Sequence, residues 1–160
     1  MTVRKSERHE SKLEVRYQAI LLHDELCDLS YRCFGIYSKN SPLRAKHERL
    51  LRIEEDPDRI DHIIFGRQDR IEDLAENLIV TIEAANGVYP RSRSEYDIRL
   101  SYQDKALAIC KSIKAELNSI ARVLNCDISV FENSIKLINK EINLLQKWRQ
   151  KDRRRFSNLP

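Results

Sequence analysis

The residues best suited to chemistry lie near the end of the chain, where its only tryptophan borders a run of basic side chains. From Lys147 to Arg155 there are six Lys or Arg residues and one Asp, a net charge of +5, whereas the whole chain carries +4. Positive charge concentrated in one segment indicates an anionic partner. The alternative is a solvated helix end, because cations near a helix C-terminus also interact favourably with the helix dipole.

A second basic region lies between Tyr89 and Tyr102, where arginines and tyrosines occur together. Nucleic-acid binding requires Lys and Arg for the phosphates and planar groups for the bases. If short loops make successive helices antiparallel, both basic regions lie at the same end of a helical bundle. The candidate nucleic-acid-binding residues are Arg91, Arg93, Arg99, Lys147, Arg149, Lys151, Arg153, Arg154 and Arg155.

Trp148 has two candidate roles, packing in the core or stacking on a base. It lies one helical turn beyond Leu145 and so continues the apolar stripe of the last helix, which favours the core role. For at least one of Tyr96 and Tyr102, packing between helices is likewise favoured over base stacking.

Motifs for catalysis are scarce. The chain contains no nucleophile elbow, P-loop, zinc-protease helix or dinucleotide fingerprint. The pairs Arg4 with His9 and Arg16 with His23 have the Arg-x4-6-His spacing of HEPN ribonucleases. That family has its motif at the start of a late helix, whereas these pairs lie in the N-terminal tail or the first helix. We therefore expect a protein that is not an enzyme, with a HEPN-like ribonuclease using Arg16 and His23 as the alternative.

The cysteines and histidines do not form a pattern typical of metal ligands. No C-x-x-C pair occurs, and no histidine has metal-ligand spacing to a cysteine. Cys27, Cys33 and Cys110 fall within helical apolar patterns, which predicts reduced thiols that pack as small hydrophobic groups. We expect neither a metal nor a cofactor.

Composition indicates a few long helices, because the 160 residues include only three glycines and four prolines. No apolar run approaches the roughly 20 residues that cross a bilayer, and the first sixteen residues contain no apolar signal segment. We therefore expect one cytoplasmic domain with no membrane partner.

Apolar residues recur with helical spacing in four segments. The first helix is expected at 11–37 and the second from Pro57 to Gly87, with Gly87 in a left-handed cap conformation. Capping boxes at 92–95 and 129–132 predict the starts of the third and fourth helices.

Short loops join the last three helices, so the predicted fold is all-α, an up-down-up-down four-helix bundle over residues 11–155. Residues 1–10 are expected to be a flexible tail, 38–57 an inserted loop or short helix, and 156–160 a C-terminal tail. Arg67 interrupts the apolar repeat of the second helix, and we expect it to extend to solvent rather than to form a charge at a helix interface. Apolar residues outside the main stripes predict a second apolar face and a homo-oligomer. They are Leu21, Ile63, Phe65, Ile79, Ile109 and Leu144.

Three local patterns resemble the Avd-type accessory variability determinants of diversity-generating retroelements, and related bundle proteins encoded in ribosomal-RNA intervening sequences share that fold. The patterns are Ala85-Asn86, then Arg99-x-x-Tyr102-Gln103 with Cys110, and finally Trp148-Arg149-x-x-Asp152-Arg153-x-Arg155. The resemblance covers roughly residues 60–155.

This resemblance implies a non-catalytic pentamer that binds a reverse transcriptase and its structured template RNA, and that supports mutagenic cDNA synthesis. Basic residues at the matching positions would contact RNA phosphates, and other faces would hold the polymerase. A generic helical oligomerisation module is a further alternative.

Overall fold

A computed structural model of the chain describes residues 5–35, 58–124, 126 and 128–160. Its α-helices are α1 (Lys5–Tyr31), α2 (Asp58–Gly87), α3 (Arg93–Val123) and α4 (Glu132–Arg155). Two short 3-10 helices follow α1 and precede α4, at Cys33–Gly35 and Ile128–Phe131. The described residues contain no β-strand, and none of their helices combines the length and apolar character that crossing a bilayer requires. The predicted insertion at 38–57 lies outside the described residues.

Contacts between side chains show that neighbouring helices run antiparallel, since late residues of one helix meet early residues of the next. α1 packs against α2 and α4, and α3 packs against the same two helices on the other side. The prediction of an all-α, up-down-up-down four-helix bundle is therefore confirmed. The contacts that establish the register are Ser30 with Glu72, Arg67 with Glu116, Lys114 with Asn139, and Glu25 with Ser134.

The predicted apolar stripes meet along the bundle axis and form its core. Full burial of one large apolar side chain contributes roughly 1.5–3 kcal/mol, so these stripes supply most of the packing energy that holds the helices together. Fully buried examples from the helices are Leu22, Leu26, Leu29, Ile64, Ile71, Leu78, Ile113, Leu117, Ile120, Ile138 and Leu145.

The first helix differs from its predicted limits at both ends. It begins at Lys5, within the stretch expected to be a tail, and it ends at Tyr31. Cys33 and Phe34 then have φ angles of 50° and 53°, in the left-handed region that non-glycine residues rarely adopt. Phe34 is only 1% exposed, so its burial in the core offsets the strain of this turn. Cys33 therefore lies in the turn rather than in the helix predicted for it.

The predicted caps have mixed outcomes. Ser92 and Glu95 form the expected reciprocal capping box at the start of α3. At α4 the prediction is wrong, because the N-cap residue is Phe131 and it has no side-chain cap hydrogen bond. Phe131 is 3% exposed, and its burial at the end of the 3-10 helix sets the entry into α4. α2 ends at Gly87 as predicted, but Gly87 does not have the left-handed φ expected of it.

Arg67 forms an ion pair between helices instead of extending to solvent. Its Nη1 lies 2.5 Å from Glu116 Oε1, and Arg70 Nε lies 2.9 Å from Glu116 Oε2. Glu116 is 7% exposed, so the carboxylate needs these cations to offset its lost hydration. The expectation of a solvent-exposed Arg67 is wrong because the facing helix supplies a buried acid.

Candidate functional site at the basic pole

The end of α2, the start of α3 and the end of α4 meet at one end of the bundle, as the antiparallel arrangement predicts. Arg155 Nη2 donates a hydrogen bond to Tyr89 Oη at 2.6 Å, which joins α4 to the loop after α2. The backbone N–H of Arg93 donates to the Pro160 carbonyl at 2.8 Å. We call the positive side chains at this end the basic pole. They are Arg91, Arg93, Lys147, Arg149, Lys151, Arg153, Arg154 and Arg155.

Arg99 lies beneath this surface and is 0% exposed. Its Nε donates to Asp152 Oδ2 at 2.6 Å, and its Nη1 donates to the carbonyl oxygens of Ala85 at 3.0 Å and Val88 at 2.8 Å. The guanidinium carbon also lies 4.9 Å from the centre of the Trp148 ring. Arg99 therefore ties α2, α3 and α4 together. This corrects the expectation that it contacts nucleic acid, because no part of its side chain reaches the surface.

Gln103 and Trp148 complete the buried group around Arg99 and Asp152, which we call the Arg99 layer. Gln103 Nε2 donates to Asp152 Oδ2 at 2.7 Å, so that carboxylate oxygen accepts two hydrogen bonds. Hydrogen bonds of this charged kind are about twice as strong as neutral ones. Trp148 is 2% exposed, which confirms the core role predicted for it.

The Arg99 layer contains much of what carries the family resemblance. Arg99 and Gln103 come from the second matching pattern, Trp148 and Asp152 come from the third, and Ala85 of the first accepts a hydrogen bond from Arg99 through its carbonyl oxygen. Their contacts join the helices at this end of the bundle. These residues therefore hold the basic pole in shape and do not contact a ligand directly.

The first residue of the segment 156–160, which was expected to be a C-terminal tail, packs against the bundle. Phe156 is 5% exposed and its ring centre lies 5.7 Å from that of Tyr96, which is 4% exposed. Tyr89 meets the edge of Phe156 at 6.4 Å. Phe156 lies four residues after Asp152 and so extends the buried side of α4. The packing role expected of at least one of Tyr96 and Tyr102 is confirmed for Tyr96.

Outside the Arg99 layer, the basic residues of α4 form two surface stripes. Lys147, Lys151 and Arg154 follow one another at spacings of four and three, and Arg149 and Arg153 form a parallel stripe. Arg91, Lys147, Lys151, Arg153 and Arg154 form no ion pair with any described residue, so their charge is available to a ligand. The other three have acidic or phenolic partners: Arg93 pairs with Asp97, Arg149 pairs with Asp104, and Arg155 donates a hydrogen bond to Tyr89.

A groove of about 570 Å³ runs between the start of α3 and the end of α4. Three guanidinium groups, from Arg93, Arg149 and Arg153, line it. The two ion pairs at its edge are largely exposed to water, where such pairs contribute at most about 1 kcal/mol. An incoming phosphate can therefore replace Asp97 or Asp104 at little cost. The other lining residues are Tyr96, Leu100, Gln146, Gln150 and Ser157.

The residues of the ribonuclease alternative contact other side chains. Arg16 forms an ion pair with Glu83 of α2. His23 Nδ1 lies 3.2 Å from Asp24 Oδ1, and His23 Nε2 lies 3.6 Å from Cys27 Sγ. Arg4 and the side chain of His9 lie outside the described residues.

Only one of the three cysteines that were expected to be buried is fully so. Cys110 is 0% exposed, whereas Cys27 and Cys33 are partly exposed. Within the described part of the chain, no group of three or more His, Cys, Asp or Glu side chains is arranged to hold a metal ion.

The chain was compared with models of protein families, with curated proteins and with solved structures, and none of them matches.

Proposed function

We propose that this protein is a non-catalytic, cytoplasmic accessory protein of the Avd type. It binds a reverse transcriptase and its structured template RNA and supports mutagenic cDNA synthesis in a diversity-generating retroelement. The observation that carries the RNA-binding part is the convergence of eight positive side chains from two helices and a loop on one pole. The polymerase as partner rests on the resemblance over residues 60–155.

The chemistry of the pole favours contact with the RNA backbone over contact with bases. Trp148 and Tyr96 are buried, so neither ring is available for stacking, whereas Tyr89 is 55% exposed. Guanidinium and ammonium groups bind phosphates in any sequence. We therefore expect recognition of structured RNA by charge and shape, with weak sequence preference and a steep dependence on salt.

The decisive experiment removes the groove cations together, in the triple variant Arg93→Ala, Arg149→Ala and Arg153→Ala. Binding to a hairpin RNA is measured by fluorescence anisotropy over a range of salt concentrations. We expect affinity to fall by roughly tenfold or more at low salt, and the slope of log affinity against log salt to decrease by up to about 3.

The matched control removes three exposed cations away from the pole, in the triple variant Lys111→Ala, Arg122→Ala and Lys136→Ala. Both variants lose the same net charge, so equal losses of affinity would mean that the pole has no special role. Circular dichroism of both variants checks that the bundle stays folded.

The polymerase partner has its own test, in which the reverse transcriptase of a diversity-generating retroelement is expressed with and without this protein. We expect template-directed cDNA only when both proteins are present. RNA cleavage by the protein alone that is lost in His23→Ala would instead support the ribonuclease alternative. If the protein binds RNA but has no effect on the polymerase, we would conclude that it is a helical RNA-binding module.

Self-assembly, by resemblance as a pentamer, is part of the same proposal. Of the six residues expected on a second apolar face, Phe65 is 56% exposed, while Ile109 is buried in the protein's own core. Tyr17 and Val80 are 61% and 58% exposed on α1 and α2, so these helices offer the candidate contact surface. Light scattering is expected to give a mass above 18.9 kDa, and the variant Phe65→Glu with Val80→Glu is expected to shift it towards the monomer. A parent protein that is monomeric at micromolar concentration would contradict the assembly.

A further inference from the structure

A second buried polar group lies along the bundle, away from the basic pole. Glu141 on α4 is 0% exposed and Gln18 on α1 is 1% exposed. Neither carboxyl oxygen of Glu141 and neither amide atom of Gln18 has a hydrogen-bond partner among the described residues. Buried polar side chains are hydrogen-bonded in the large majority of cases, so this pair calls for a physical explanation.

The register of α1 against α4 shows that the two side chains face each other. Ser134 Oγ lies 3.5 Å from Glu25 Oε1. Gln18 precedes Glu25 by seven residues and Glu141 follows Ser134 by seven. Seven residues make about two turns of helix, and the helices are antiparallel. Gln18 and Glu141 therefore lie at the same level and on the facing sides of α1 and α4.

No cation is buried with this pair, which we call the Glu141 layer. From α3 the titratable neighbour is Cys110, and burial, followed by the charge of Glu141, raises the pKa of its thiol to about 12. Burial raises the pKa of Glu141, and the charge of Lys140 on α4 lowers that pKa by less. The charged groups of α1 and α2 nearest this level, Arg16 and Glu83, pair with each other at the surface. Buried apolar side chains near this level include Val15, Ala19, Leu22, Leu78, Ile82, Ala106, Ile138 and Leu145.

An ionised carboxylate in such surroundings is strongly unfavourable, because it loses its hydration and gains no partner. Burial accordingly raises the pKa of Glu141 from 4.5 to about 8. Unlike the anion, the neutral carboxyl has a proton that it can donate in a hydrogen bond. Its O–H can donate to the Gln18 amide oxygen while its other oxygen accepts from the amide N–H, after rotation of the two side chains.

We propose that Glu141 is a neutral buried acid facing Gln18, and that loss of its proton loosens α1 from α4, so that the packing of these two helices depends on pH. The ionised form has no proton to donate to Gln18 and places an unpaired charge in the core. The interface between α1 and α4 is the part of the bundle that must open to hydrate that charge.

The direction of the pH effect follows from the two pKa values. The unfolded chain releases the Glu141 proton near pH 4.5, whereas the folded chain keeps it until about pH 8. Between these values the folded state binds more protons, so its stability falls as pH rises. The fall ends above pH 8, where both states have lost the proton.

The test measures urea unfolding of the parent protein and of Glu141→Gln from pH 5 to pH 9. For the parent, we expect the equilibrium constant for unfolding to rise by up to about tenfold per pH unit inside the window. Glu141→Gln keeps the shape and the amide hydrogen bonding but has no proton to lose, so this component of the pH dependence should disappear.

Two control variants test whether the pH dependence of stability comes from Glu141. Glu76→Gln makes the same chemical change on an exposed side chain of α2 and should keep the parent's pH dependence. Cys110→Ala should keep it as well, because burial raises the pKa of that thiol to about 12, which lies outside the pH range of the experiment. A Glu141→Gln curve parallel to that of the parent would overturn the proposal.

A direct measurement on the parent covers the case in which Glu141→Gln does not fold. The carboxyl carbon of Glu141 is followed by NMR as pH is raised, and a midpoint near 8 supports the proposal whereas one near 4.5 overturns it. Amide exchange, corrected for its intrinsic pH dependence, locates the opening. Acceleration in α1 and α4 ahead of α2 and α3 is expected, and uniform acceleration would refute the local loosening.

Discussion

Asp152 and Glu141 are both buried carboxyl groups on α4, eleven residues apart along the same helix. Asp152 is 4% exposed and Glu141 is 0% exposed, so water reaches neither side chain to a useful extent. Asp152 lies against the guanidinium of Arg99 and the amide of Gln103. Glu141 faces the amide of Gln18 and no cation. Each layer contains a buried acid and a buried glutamine. The layers differ because a neighbouring helix provides a cation, Arg99, only to Asp152.

This difference shows that partners, rather than burial alone, decide the charge of a buried acid. Asp152 accepts hydrogen bonds from the Arg99 guanidinium and the Gln103 amide, and these contacts hold three segments of the bundle together at the basic pole. Without a cation, the acid is more stable with its proton, and its contribution depends on pH. The Arg99 layer therefore links the helices through an ion pair, whereas the contribution of the Glu141 layer to stability depends on pH.

The largest effect is expected from Arg99→Ala, which leaves Asp152 as an unpaired buried charge. We expect a loss of about 3–5 kcal/mol in the free energy of unfolding, measured with urea at pH 7. The double variant Arg99→Met with Asp152→Leu removes both charges and should be more stable than Arg99→Ala. A loss below about 1 kcal/mol for Arg99→Ala would mean that the pair does not hold the layer together.

Trp148→Ala removes the ring that packs against Arg99 but leaves the ion pair intact. We expect a loss of about 3–5 kcal/mol, nearer the lower limit because no unpaired charge results. RNA affinity of the folded fraction should stay within about twofold of the parent, since base stacking contributes more than this. Unchanged stability with a clear loss of affinity would instead assign Trp148 to base stacking.

The same substitution in each layer provides a matched comparison. Gln103→Leu removes a hydrogen bond to the Asp152 carboxylate and should lower stability by about 1–3 kcal/mol. Gln18→Leu removes the amide that faces the neutral Glu141 carboxyl and should lower stability by about 0.5–1.5 kcal/mol, because a hydrogen bond between neutral groups is weaker than one to a carboxylate. Both are measured by urea unfolding at pH 6. Equal losses in the two variants would show that Gln18 already forms a hydrogen bond as strong as that of Gln103.

The smallest effect concerns the capping box that starts α3 beside the groove. Ser92→Ala removes the acceptor for the Glu95 N–H and should lower stability by about 1 kcal/mol. Ser101→Ala, on an exposed face of the same helix, is the control and should change stability by less than about 0.5 kcal/mol. If thermal unfolding gives the two variants the same midpoint, the capping box does not contribute to the stability of the protein.

Several features were predictable from sequence because they depend on residues close together in the chain. Helical spacing of apolar residues predicts the four helices, and short loops predict their antiparallel packing and the shared pole. Trp148 follows Leu145 by one turn, so its burial was predictable as well. The Ser92 capping box spans four residues and needs no information from elsewhere. The matching pattern at 129–132 fails because Phe131 is drawn into the core.

The tertiary structure alone decided which charged residues are buried and what they meet. Arg93 and Arg99 lie six residues apart on one helix, yet the first lines the groove and the second is fully buried. Glu141 lies between Ile138 and Leu145 with the spacing of core residues. This pattern in the sequence indicates that Glu141 faces the core, but it does not show which side chains surround it. The partner of Arg99 is 53 residues away in the chain. Because the charge and role of a buried ionisable group depend on such distant neighbours, local sequence patterns do not determine them.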